Sequence, residues 1–229
     1  MSRDLFALGF ALTLVGVPAF VVWRWWRGPL TRAGVDATPD RPRGFGYKCQ
    51  WLAVQARSAD EVVAALDVRA PVPCNWESGF ARVFGAIGGT EVFVTPPVDG
   101  WVFVLNFPLE DAASPAAVAR IAAKLGRTVH GFGSHRGVSL ATWVVADGGA
   151  VRRAWCVGDG QRVFDVGDPT PEELALDISF DAEPAHDDDD RWSRQSDEAT
   201  VIALATAWTR DPTTLDAVET TGVGVLARR

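Results

Sequence analysis

A chain of 229 residues with 48% apolar side chains has room for one good-sized domain and an appendage, and is too polar for a polytopic membrane protein. Its charge is divided: residues 1–48 carry seven Lys/Arg against three Asp/Glu, and residues 49–229 carry fifteen against 26, so a stem of net +4 precedes a domain of net −11. Such a domain repels phosphate backbones, which argues against nucleic acid as a partner and for a basic one.

Leu5 to Trp23 is a run of 19 residues without a charge, with Thr13 its only polar side chain. As a helix it spans about 28 Å, close to the hydrocarbon core of a bilayer. A cleavable signal has a shorter apolar region and small residues at its end. A buried core helix has a polar face, which nothing in 5–23 supplies. The run ends in Trp23, Trp25 and Trp26 interleaved with Arg24 and Arg27, the residue types that settle at headgroup depth. Residues 1–27 therefore read as a single-pass anchor, with the lipid bilayer as partner of residues 5–23. Arg24, Arg27, Arg32, Arg41 and Arg43 follow the run, whereas Arg3 alone precedes it. The positive-inside rule then places the protein in an inner or plasma membrane with the acidic domain facing the cytoplasm. Twenty arginines against two lysines, Lys48 and Lys124, fit a GC-rich bacterial genome.

Residues 28–46 are rich in Gly, Pro and Arg without apolar periodicity and read as a flexible linker, so the folded domain is expected over 47–229. "CQWLAVQA" (49–56) reads as a strand, and Ser58 with Glu61 forms a capping box for the helix behind it. "APVPCNWESG" (70–79) is turn-rich, and "FARVFGAI" (80–87) fits strand and helix equally. Residues 89–107 carry two strands around a Pro-Pro/Asp-Gly turn. "SPAAVARIAAKLG" (114–126) has Ser and Pro at its start, apolar residues at helical spacing and Gly at its end. Four runs follow, 128–135, 138–147, 150–158 and 161–167, separated by "HRG", "DGG" and "GDG", the signature of an antiparallel meander. A short helix opens at "DPTPEELALD" (168–177), then an acidic loop (182–198), then a capped apolar helix (197–208), and "DPTTLDA" starts a turn near the end. The fold class is α+β, one antiparallel-sheet domain, and β-α-β-β-α-β is the ferredoxin-like order, extended here by a meander and C-terminal helices.

Three cysteines, Cys49, Cys74 and Cys156, make neither a CxxC motif nor a zinc spacing and read as buried thiols, with a Cys49–Cys74 bridge open to an oxidising compartment. "HGFGSHRG" (130–137) carries His130 and His135, which five apart on a strand point to opposite faces unless the chain turns at Gly131 or Gly133, and an enzymatic reading would pair one of them with Cys156 or a carboxylate. No phosphate loop or dinucleotide fingerprint occurs, so no cofactor and no metal are expected. Asp187, Asp188, Asp189 and Asp190 form a solvated acidic run. Trp76 beside Glu77, and Trp192 beside that run, are the tryptophans expected at the surface, where an aromatic next to acid makes a docking point for protein. The expected function is a membrane-anchored, non-enzymatic interaction domain, in its specific form an immunity-type protein that neutralises a basic partner. The alternatives are a small-ligand module in the sheet/helix groove and a hydrolase built on His130 or His135.

Overall fold

The structure, a computed structural model, describes residues 34–85, 89–178, 180 and 197–229. The apolar stretch 5–23, its flank Trp23, Arg24, Trp25, Trp26 and Arg27, and the segment with Asp187, Asp188, Asp189, Asp190 and Trp192 lie outside the described residues. Among the described residues no helix is long and apolar enough to cross a membrane.

The chain runs β1 (Gln50–Gln55), α1 (Ala59–Val63), β2 (Arg69–Cys74), α2 (Trp76–Phe84), β3 (Glu91–Val94), β4 (Trp101–Leu105), α3 (Ser114–Leu125), β5 (Thr128–His135), β6 (Leu140–Asp147), β7 (Ala150–Gly158), β8 (Gln161–Val166), α4 (Pro171–Ala175), α5 (Glu198–Trp208) and β9 (Gly224–Arg228). The strands make one sheet in the order β2-β9-β3-β4-β1-β5-β6-β7-β8, every neighbouring pair antiparallel. This is the α+β class the sequence indicates. Four central strands lie in the order β3-β4-β1-β5, with α1 between β1 and β3 along the chain and α3 between β4 and β5. From β5 to β8 each strand pairs with the next, through turns whose left-handed residues are Gly148 and Gly149, then Asp159 and Gly160. Positive φ at both central residues matches the right-handed twist of the strands they join.

Alternation gives the sheet two chemically distinct faces. Leu52 and Val54 of β1 pair with Val104 and Val102 of β4, and the same face continues through Val129, Val144 and Ala154 under α1 and α3. The opposite face carries Trp51, Phe93, Phe103, Phe132, Trp143 and Trp155, all buried, beneath α2 and α5. Edge-to-face contacts organise that layer: Phe45 lies 5.6 Å from Trp51 and 5.3 Å from Phe103, both near-perpendicular. Gly131 leaves room on the aliphatic face for Leu109, whose methyl carbons lie 3.1 and 3.2 Å from where a Cβ would stand.

The structure departs from the sequence reading in three places. Residues 35–46 belong to the compact unit, which runs from Val35 to Arg229. Phe45 enters the aromatic layer and its N–H bonds Pro212 O at 3.0 Å, while the Asp40 carboxylate accepts from the N–H groups of Trp76 (2.7 Å) and Glu77 (2.9 Å). A carboxylate on the first N–H groups of α2 satisfies donors that a helix start leaves open, so a segment without periodicity is fixed by capping instead. The turn-rich stretch becomes edge strand β2, where Pro71 and Pro73 are tolerated, and it leads into α2, which settles the ambiguous run 80–87 as helical as far as Phe84. Residues 224–228, unassigned from sequence, form a strand inside the sheet between β2 and β3.

Candidate functional site

Position along β5 decides the fate of the two histidines. His130 pairs across from Ala53 and Val145 on the aromatic face, while His135, five residues on, points to the other face. His130 sits among Trp101, Phe132 and Trp208 with ring centroids 6.0, 6.3 and 6.1 Å away, and its Nδ1 is buried without a hydrogen-bond partner among the described residues. Burial holds its pKa down at about 4, so the ring is neutral near pH 7. His135 closes the start of the next turn, its Nδ1 accepting from Gly137 N–H at 3.2 Å.

Cys156 lies on the aliphatic face of β7, opposite Thr142 and Phe164. It therefore does not meet His130. All three cysteines are free and buried. Burial pushes the Cys156 thiol up to about 11 and those of Cys49 and Cys74 up to about 12, which suppresses the thiolate a nucleophile requires. Among the described residues no group of His, Cys, Asp and Glu is placed to hold a metal ion.

Trp76 is fully buried rather than exposed. It is the first residue of α2 and packs on Phe80 (5.9 Å) and Phe93 (5.7 Å). Glu77 beside it is exposed and faces Arg43 at 3.5 Å. The surface pair expected from sequence is thus a core ring next to a solvated acid. The helix cap made by Asn75, whose side chain accepts from Ser78 N–H at 2.9 Å, turns the ring inward.

The feature the sequence reading passed over is the far edge of the meander. Arg153 on β7 is 1% exposed and Glu173 on α4 is fully buried, yet they face each other through two contacts of 2.9 and 3.1 Å from Arg153 Nε. Arg153 Nη1 also donates to Asp165 Oδ1 at 2.5 Å and to the carbonyls of Val166 and Gly167, both at 3.1 Å. Glu173 in turn accepts from Trp143 Nε1 (2.6 Å) and from Thr170 N–H (2.6 Å), the latter completing a capping box for α4. The guanidinium lies 4.9 Å from the Phe180 ring and 5.9 Å from Trp155. One buried cation therefore pins both β8 and α4 to the aromatic layer. In sequence, Arg153 is one arginine of a meander strand and Glu173 part of a short helix, and nothing local joins them.

The pinned elements leave several apolar side chains exposed. Val163 and Val166 on β8 and Leu174 and Leu176 after it are all exposed, Leu174 at 66%. Asp159, Asp168 and Asp177 in the neighbouring turns are exposed too, as are Arg152 and Arg162. Among the described residues β8 has β7 on one side and no strand on the other. The opposite edge differs, because two of the six residues of β2 are prolines and have no N–H to offer a further strand.

No family model, curated protein or solved structure matches the chain. The functional reading rests on the residues themselves.

Proposed function

We propose that the chain is a membrane-anchored, non-enzymatic interaction domain that docks a basic protein partner along β8. One observation carries the reading: a sheet edge without proline, bearing exposed Val163 and Val166 and flanked along the chain by the exposed acids Asp159 and Asp168, at the end of a domain of net −11. A partner segment adding itself as a further strand would gain main-chain hydrogen bonds at that edge, with the acids selecting for Lys or Arg beside it. Charge complementarity would also speed encounter, as an immunity-type protein facing a basic toxin requires. The β1-α1-β3-β4-α3-β5 order is read as a ferredoxin-like core, extended on one side by the meander and on the other by β9 and β2. The uncharged run 5–23 with its Trp/Arg flank serves as the anchor, and the cation-rich segment after it keeps the domain on the cytoplasmic side.

The test takes the partner captured by the wild-type chain at low salt and measures its affinity for the Val163→Lys/Val166→Lys double variant. Both side chains are exposed, so the fold tolerates the change, and two cations on the edge repel a basic strand. At least a tenfold loss of affinity is expected, with wild-type affinity falling as salt rises. Undiminished binding by the double variant, or capture only of acidic partners, would overturn the reading.

A further inference from the structure

A cavity of about 170 Å³ opens on the aliphatic side, between the end of α1, the outer turns of α3 and strand β3. Its walls are hydrocarbon: Leu66, Val68, Val92, Phe107 and Ile121. Its rim is cationic, formed by Arg120 and Lys124 on α3 and by Arg229, with Asp67 the sole acid in the lining. Asp67 is already engaged by Lys124 Nζ at 2.8 Å. Arg69 takes up the backbone oxygen of Arg229 at 3.4 Å. Arg120 is exposed and close enough to help Lys124 hold the Asp67 carboxyl low, without a salt bridge of its own among the described residues.

The three cations to one acid of this lining contrast with a domain whose acids outnumber its bases. Cations gathered at the mouth of an apolar pocket repel one another unless an anion lies between them. Partial burial holds the Arg229 guanidinium below its usual pKa although the Glu110 carboxylate acts the other way, so a further anion there would relieve a desolvated charge. The hydrocarbon walls set the other half of the ligand. A cavity of roughly 150 Å³ lined by aliphatic and aromatic groups accepts a molecule the size of benzene. A free inorganic anion would leave these walls empty, and a long acyl chain would overrun them.

From this geometry we infer that the cavity binds a small amphipathic monocarboxylate, an aromatic or short branched acid whose ring or chain enters among Leu66, Val92, Phe107 and Ile121 while its carboxylate meets Arg120 and Arg229. The site lies on the opposite sheet face from the aromatic layer that carries Arg153, and it does not depend on docking along β8. It gives the groove between sheet and helices a ligand chemistry that the sequence alone does not supply.

The experiment uses the purified full-length chain and 4-fluorophenylacetate as probe, read by fluorine NMR and competed with unlabelled phenylacetate. Saturable, competable binding is expected, with the neutral phenylacetamide at least tenfold weaker, since charge-assisted hydrogen bonds are the stronger class. Arg120→Gln and Arg229→Gln should each weaken the carboxylate about tenfold and leave the amide unchanged. Ala117→Leu, at a half-buried position in the lining, should fill the cavity and abolish binding of both; its melting temperature serves as the check that the fold survives. The inference is overturned by absence of saturable binding at millimolar probe, by amide and carboxylate binding equally, or by retained binding in a folded Ala117→Leu variant.

Discussion

At the residue scale, His130 is the group whose environment turns into a measurable pH dependence. Its imidazole is surrounded by Trp101, Phe132 and Trp208, and desolvation lowers its pKa from 6.5 to about 4. Between those two values the unfolded chain takes up a proton that the folded chain refuses. Stability therefore falls as pH drops from about 6.5 towards 4, by up to about 3 kcal/mol from this group, and is fully present above the unfolded pKa. Glu61 and Asp67, whose carboxyls are held below their usual range by the Arg57 N–H and by Lys124 respectively, add their own losses only at the acid end. His130→Phe isolates the imidazole, because a phenyl ring keeps the aromatic contacts and cannot charge. Denaturant titrations at several pH values should show the variant matching or exceeding wild type at pH 5, with the difference growing as pH falls from 6.5. Parallel curves for the two proteins would mean that His130 titrates normally in the folded state.

At the scale of elements, α2 fits closely on β3. Gly79 faces the Phe93 ring, and a Cβ there would stand 2.5 to 2.7 Å from three ring carbons. Alanine inside a helix is favoured over glycine by about 1 kcal/mol. Overpacking a filled core costs about 1–3 kcal/mol, and Phe93 is itself fully buried against Trp76, so the clash outweighs the propensity. Gly79→Ala is expected to lower unfolding free energy by about 1–2 kcal/mol, and Gly79→Ala with Phe93→Leu to recover part of that loss. Additive losses in this double-mutant cycle would separate the two residues energetically. The same packing explains what the sequence made legible. The meander and α3 carry their own punctuation, with "DGG" and "GDG" turns, Ser-Pro at the helix start and Gly126 in the left-handed conformation at its end. By contrast α2 has its local Asn75 cap completed by Asp40, 36 residues away from Trp76, and β2 is specified by its pairing with β9. Local periodicity holds no trace of partners so distant. The site followed the same rule: the β8 strand was readable from its turn, whereas the buried Arg153–Glu173 contact that fixes it joins residues 20 apart. Trp76 was misplaced at the surface because an acidic neighbour says nothing about which way the first turn of a helix faces.

At the scale of the whole molecule, the order of the sheet and the proposed anchoring of residues 5–23 meet in a single test of orientation. Strand β9 lies between β2 and β3, so the last residues of the chain join the sheet interior and the far edge, β8, belongs to the middle of the sequence. Leu174, which follows that edge, is 66% exposed and stands apart from the three native cysteines, all buried. With their thiols pushed up to about 11 or 12, Cys49, Cys74 and Cys156 expose almost no thiolate near neutral pH and should resist a maleimide until the protein is denatured. A single Leu174→Cys change therefore adds the one readily reactive thiol among the described residues. If Arg24, Arg27, Arg32, Arg41 and Arg43 hold the flank after the apolar run in the cytoplasm, an impermeant maleimide should leave this variant unlabelled in intact cells and label it after lysis. Wild type should stay unlabelled under both conditions, which separates labelling at position 174 from reaction of a native thiol. Labelling of Leu174→Cys in intact cells would place the acidic domain on the outer side of the membrane.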